Sequence, residues 1–371
     1  LGFCGEEGEI CREGARGPWQ DTQQSAEASY DRSEACQFTS FVAYEWTGVS
    51  ENVGNLHRNV IFRNSEVPDL PISYIDSDKL AVNLYRQLDE ACIEANGSCD
   101  VLVIPHNSNI SDGYMFKQER EDGSPITEDD ASQRSRFETL VELFQHKGSS
   151  ECFYRAGISE DELCAFEQLP YDKFSGKFQS WARQDPQPDD GFMREVLRDG
   201  MREQQRLGVN PFKTGFIGST DTHLGAPGAV SETDFYGHGG AGVPANEEIP
   251  AGLVDDLEYN PGGLAGVWAP ENSRDALFDA MRRRETFATS GPRIELRFFA
   301  GSELQAGLCQ DPDMIAKAYA NGVPMGATVT GAESGRFLLA ARRDAGSESE
   351  LSMTLQQLQI IKGWVDADGQ G

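Results

Sequence analysis

The stretch DVLVIPHNSN, Asp100 to Asn109, decides how the rest of the chain is read. Val101, Leu102, Val103, Ile104 and Pro105 run without a polar break into His106. A run apolar at every position is the signature of a strand buried on both faces, as in a parallel sheet. Pro105 removes a ladder donor, which fits a strand terminus and leaves the imidazole at the tip. Two other runs have the same form: FTSFVAYEWT (38–47) ends at Glu45, and TGFIGSTDTH (214–223) ends at Asp221 and His223. LHRNVIFR (56–63) begins with His57, and VELFQHKG (141–148) ends at His146 and Lys147.

Helical patterns separate these runs. Leu80, Leu84 and Leu88 recur every four residues, with Ser77 or Asp78 available as a cap. Met193, Val196, Leu197 and Met201 form a second stripe, stopped by Gly208. Ala276, Leu277, Ala280 and Met281 form a third, before Arg282, Arg283 and Arg284, whose charge suits a helix C-terminus. Alternating strands and helices with polar residues at strand ends predict an α/β fold, a β/α barrel with an open doubly wound sheet as the competitor. No GxxxxGK[ST] supports nucleotide binding. Asp112 to Gln133 and Leu224 to Gly263 read as long polar loops, the second placed to cover Asp221 and His223. RIELRFFA, RFLLAARRD and QLQIIKGW read as antiparallel strands. The expected division is therefore 1–300 for the barrel and 301–371 for a β-rich C-terminal region.

The 371 residues carry 32 basic and 61 acidic side chains, a formal charge of −29. That field disfavours nucleic acid and anionic membranes as partners. No run reaches the ~18 apolar residues of a membrane span, so no membrane insertion is expected. Oligomeric state is not legible. Eight cysteines without a CxxC disfavour a zinc ribbon. Cys4 and Cys11, Cys92 and Cys99, and Cys152 and Cys164 are close in sequence and suit disulfides in an oxidising compartment, hence a periplasmic or secreted protein. Eight reduced thiols are the alternative.

Each polar strand end has an ordinary reading beside a chemical one. His106 alone is as well explained by a structural hydrogen bond, Asp221 and His223 by a turn, Glu45 by a core ion pair, and His57 by a cap. Residues two apart on an extended segment share a face, so Asp-Thr-His can offer a carboxylate and an imidazole to one cluster. Together the histidines and carboxylates make a mixed donor set suited to Zn, Mn or Fe. Two such ions roughly 3.5–4 Å apart would activate water and stabilise a leaving oxygen. His238, among glycines, reads as a surface residue. No G-x-S-x-G marks a serine hydrolase.

FVAYEWTGVSENVGNLHRNVIFR, VLVIPHNSNISDGYMF, QHKGSSEC, NPFKTGFIGSTDTH, VWAPENSRDALFDAMRRRETFATSGPRI and QIIKGWVD resemble the domain-of-unknown-function 3604 family across nearly the whole chain. That family is similar to the PHP (polymerase and histidinol phosphatase) metal-dependent phosphoesterases. The resemblance implies a distorted PHP-like, TIM-like β/α barrel holding two or three divalent transition metals. Glu45 looks like the bridging ligand, His57 and His106 like the histidines of one metal, and Asp221 and His223 like the final D-x-H ligands. Glu45, Asp221 and Lys147 would be the catalytic groups. PHP proteins open with an H-x-H strand that is not in this sequence, so the chain is expected to start after it and to be a fragment incomplete at its N-terminus. The implied function is metal-dependent hydrolysis of a small anionic substrate, a phosphate ester by analogy. Lys147, Arg58 and Arg293 are the cations expected to bind its oxygens. The alternatives are a non-catalytic binding module on the same frame, or a metal-dependent hydrolase of a sulfate ester or amide.

Overall fold

The computed structural model describes residues 4–5, 8–95, 97–120, 122–155, 159–173, 191–223, 225, 227–231, 260–330, 335–347 and 351–369. Among these the chain is a mixed α/β protein with six α-helices and strands in four small sheets. Most of the expected 224–263 loop, with His238, lies outside the described residues.

The first sheet holds β1 (Ala43–Trp46), β2 (Arg58–Phe62) and β3 (Val101–Pro105), in the order β1-β2-β3 with both pairs antiparallel. All five residues of β3 are buried, as its sequence requires. The parallel pairing expected of it does not occur. Burial on both faces constrains what covers a strand, not the direction of its neighbour, and here β2 runs back between β1 and β3. The second sheet pairs β4 (Leu140–Gln145) antiparallel with β5 (Gly148–Ser149) and parallel with β6 (Gly215–Gly218). β7 (Leu264–Val267) and β8 (Thr286–Thr289) form an antiparallel pair. β3 lies beside β4, and β6 beside both β7 and β8, so these sheets form one continuous neighbourhood.

Helices cover it. α1 spans Glu9–Ser29 and buries Trp19 and Ala26. α2 (Ala81–Leu88) buries Leu84, Tyr85 and Leu88, the predicted stripe. Ser77 does not cap it; its hydroxyl accepts from Trp46 Nε1 at 2.9 Å. α3 (Glu128–Phe137) starts inside the stretch expected as loop to Gln133, because Thr127 and Asp130 form a capping box. α4 (Met193–Leu207) ends at Gly208, whose φ of 82° is a left-handed cap. α5 (Arg274–Arg282) is capped by Ser273, which accepts from the Ala276 amide.

The C-terminal sheet starts at β9 (Glu295–Gly301), flanked by β10 (Val323–Pro324) and β11 (Arg336–Arg342), with α6 (Met314–Asn321) between β9 and β10 in sequence. QLQIIKGW forms no strand: Leu358, Ile360, Ile361 and Trp364 are exposed, and no described strand pairs with it. β-like composition without a partner edge does not make a ladder.

Candidate functional site

β1, β2 and β3 meet at one end in three side chains. Antiparallel pairing sets Glu45 opposite Asn59 and Trp46 opposite Arg58, so His57, just before β2, comes up beside Glu45. The His106 amide donates to the His57 carbonyl at 3.3 Å, extending the β2–β3 ladder by one step and bringing the two imidazoles to 5.6 Å between centroids. His57 Nδ1 lies 2.6 Å and His106 Nε2 3.4 Å from Glu45 Oε1. His106 is buried and its Nδ1 has no hydrogen-bond partner among the described residues.

Asp221 arrives from the end of β6. Its carboxylate accepts from Gln145 Nε2 at 2.8 Å and from the Lys147 ammonium, and His146 Nε2 lies 3.5 Å away. Lys147 Nζ is also 2.6 Å from His146 Nε2. Asn107 and Asp221, each following a strand that ends in the site, both have φ of 52°. That region is unfavourable for most side chains but tolerated by Asn and Asp, and such strain collects at functional sites. Two donor groups result, Glu45 with His57 and His106, and Glu45 with Asp221 and His223, each with its ligand atoms within 4.8 Å of one another. Glu45 belongs to both.

The electrostatics separate the groups. Burial opposes ionisation of Glu45, but hydrogen bonds and charge from His106 and His57 outweigh it and hold the carboxyl well below the usual range. Burial likewise opposes ionisation of Asp221, overcome by His146, Lys147 and His106. His57 is pulled down by burial. His106 is raised, because Glu45, Glu142 and Asp221 outweigh its burial.

Of the three expected substrate cations, Lys147 is in the cluster. Arg58 is not, and this corrects the expectation: alternation along β2 turns it to the face opposite His57, where it is 3% exposed and bonds Glu138 Oε1 at 2.8 Å and Tyr85 Oη at 3.2 Å. Arg293 is exposed; its amide donates to Asp344 Oδ2 at 2.6 Å, and no described contact joins its side chain to the cluster.

Sequence reading missed Glu142. It is 2% exposed in the middle of β4, accepts from the Ser219 hydroxyl, and its Oε1 has no partner among the described residues. Burial first, and then the Asp221 charge, push it up to about 7. Gln145 and Asn107 were missed too; Gln145 Nε2 also donates to Asn107 Oδ1, tying the end of β4 to the turn after β3. The available signal was a charged residue inside LVELFQ, the same signal that picked out Glu45.

The cysteine pairs are as their spacing suggested: Cys4–Cys11, Cys92–Cys99 and Cys152–Cys164 are disulfides, while Cys36 and Cys309 are free thiols. No described helix is long and apolar enough to cross a membrane. No curated protein and no solved structure matches the chain. A family model described as a protein of unknown function (DUF3604) matches residues 4–371. The chain belongs to the DUF3604 family.

Proposed function

We propose that this protein is a metal-dependent hydrolase acting on a small anionic ester, with Glu45 bridging divalent transition metals. The observation that carries the reading is that Glu45 stands in both donor groups. A carboxylate between two imidazoles on one side and an Asp-His pair on the other is the donor chemistry of Zn, Mn or Fe sites. Both ring nitrogens of buried His106 lack a hydrogen-bond partner among the described residues, and Nε2, 3.4 Å from Glu45 Oε1, is the one beside the bridging carboxylate, which fits the same role, since buried nitrogens are normally bonded. His57 and His106 would hold one ion and Asp221 and His223 the next. Ions held there would supply Lewis-acid polarisation and lower the pKa of water.

The chain's own residues do the rest. Gln145 and Lys147 fix the Asp221 carboxylate. Asn55 Nδ2 donates to the His106 carbonyl at 2.5 Å and pins the end of β3. The Lys147 ammonium is the described cation at the cluster that can draw in an anionic group. The preference for phosphate esters over sulfate esters or amides rests on the resemblance to the PHP enzymes. So does the distorted barrel, supported by the parallel β4–β6 pair and the run of neighbours from β3 through β4 and β6 to β8. The three disulfides support a periplasmic or secreted location.

One contact favours the competing reading of a binding module without metals: the Lys147 ammonium on Asp221 neutralises one of the two carboxylates by itself. Elemental analysis of gently purified protein, with turnover of aryl phosphate, sulfate and carboxylic esters, decides. We expect at least one tightly bound transition metal per chain and phosphate-ester turnover abolished in Asp221→Asn. Metal-free protein with no turnover refutes the enzyme reading, and equal rates in the variant remove Asp221 from the mechanism.

A further inference from the structure

A closed ring of hydrogen bonds joins the turn after β3 to the end of β4. The Lys147 main-chain N–H donates to Gln145 Oε1 at 2.7 Å. Gln145 Nε2 donates to Asn107 Oδ1, and Asn107 Nδ2 to Asn109 Oδ1 at 3.3 Å. Asn109 Nδ2 donates to the Lys147 carbonyl at 3.0 Å, which returns the ring to the residue where it began. Every member gives one bond and takes one, all in the same sense. Asn107, Asn109, Gln145 and Lys147 are all buried.

The main chain of Lys147 fixes that sense, because its N–H only donates and its carbonyl only accepts. Turning over the Gln145 amide would set its NH2 against the Lys147 N–H and its oxygen against Asp221. Asn109 reversed would point its oxygen at the Lys147 carbonyl, and Asn107 reversed would set two NH2 groups face to face. Amides joined head to tail in a buried site also polarise one another, so the ring is stiffer than its bonds taken singly.

The output of the ring is at Asp221. Gln145 Nε2 has a second hydrogen, which goes to Asp221 Oδ2 at 2.8 Å. The Lys147 ammonium donates to the same oxygen. Both donors are ring members and both converge on Oδ2, while among the described residues no hydrogen bond reaches Asp221 Oδ1.

We propose that Asn107 and Asn109 are positioning residues for Asp221. The ring aims Gln145 and Lys147 at Oδ2, stops the carboxylate from rotating, and leaves Oδ1 as the single oxygen that Asp221 offers to a divalent cation. This rests on the metal reading above, and adds to it which oxygen binds and what aims it. Neither asparagine side chain bonds a member of the donor groups; each acts through Gln145 and Lys147. Removing a group that orients a metal ligand costs about 10–100-fold in metal affinity.

The test has two readouts on the full chain freed of metals with EDTA. The first is nitrogen-15 NMR of the side-chain amides. In the parent, the NH2 protons of Asn107, Asn109 and Gln145 should exchange with solvent far more slowly than those of exposed amides. In Asn109→Ala the Gln145 protons should lose that protection. Ser150→Ala is the control: Ser150 Oγ donates to Asn109 Oδ1 at 3.0 Å and accepts from the Asn109 N–H at 3.2 Å, so its loss removes buried bonds and leaves the ring closed. The second readout is calorimetric titration with Mn2+, in which Asn109→Ala should bind about tenfold more weakly or worse and Ser150→Ala should match the parent. Fast exchange of these amides in the parent overturns the ring, and needs no variant to fold. Parental Mn2+ affinity in Asn109→Ala, or an equal loss in Ser150→Ala, overturns the positioning role. A parent chain with protected amides that binds no Mn2+ overturns the metal reading instead, and with it the role given to Oδ1.

Discussion

Replacing Glu142 with Gln should make the protein more stable at pH 8 and leave it nearly unchanged at pH 5. An ordinary glutamate titrates at 4.5, and in the fold Glu142 is pushed up to about 7. Its folded pKa lies above its unfolded one, so its protonated form is the one the fold favours. Stability from that preference is complete below pH 4.5 and is lost as pH rises through 7. At about 1.4 kcal/mol per pKa unit, the loss is about 3 kcal/mol. Gln keeps the acceptor for Ser219 and cannot ionise, so it escapes the loss. Other groups titrate in the same window: His57, lowered by burial, gains stability as pH rises, and His106, raised, loses it. The quantity to measure is therefore the difference of differences, variant minus parent at pH 8 minus the same at pH 5. Urea unfolding with disulfides intact and EDTA present supplies it, the chelator removing any cation whose charge would favour ionised Glu142. A value of about 2.5 kcal/mol in favour of the variant is expected, a little under the full loss because pH 5 already lies above the unfolded pKa. A value near zero would mean that Glu142 is already neutralised by a partner, and would refute the reasoning.

Three further outcomes are expected. Arg58→Met should cost about 3 kcal/mol in urea unfolding, because Glu138, 1% exposed, loses one of its two guanidinium partners; a rise in KM with unchanged stability would instead return Arg58 to the substrate. Gly218→Ala should cost about 2 kcal/mol and lower metal content, because a Cβ there would stand 2.7 Å from the Thr289 carbonyl oxygen and 2.9 Å from that of Leu264, just before Asp221; a fully metallated variant of parental stability would count against this. Opening Cys92–Cys99 by double Ala substitution should lower stability by about 2.5 kcal/mol on loop entropy, read as a shifted urea midpoint at constant m.

The end of the site that sequence reveals best is the one where chemistry interrupts an apolar run. Glu45, His106 and Asp221 stand out because hydrophobic strands have no local use for them. Lys147 stood out only by position and charge, yet it reaches Asp221. Arg58 looked equally placed, and period-two alternation sends it into the core instead. Glu142 stayed hidden because a polar residue inside a strand is usually read as facing solvent, and only the cover over β4 shows that both faces are closed. Strand direction was the largest part of the fold not legible. β3 carries the same apolar run whether its neighbour runs up or down, and the turn chemistry joining β1 to β2 passes through irregular backbone that leaves no short signature. QLQIIKGW shows the converse, a strand-like composition with no strand to pair against among the described residues.

The left-handed backbone at Asn107 and Asp221 narrows what engineering or natural drift can do here. At either position the tolerated vocabulary is Asn, Asp and Gly, whatever the chemistry would prefer. Exchanging Asp221 for Glu, conservative by charge, is a backbone mutation first, whereas Asn is a pure removal of charge. Libraries aimed at the proposed metal ligands should therefore vary Glu45, His57 and His223, where the main chain sets no such restriction, and hold Asn107 and Asp221 fixed.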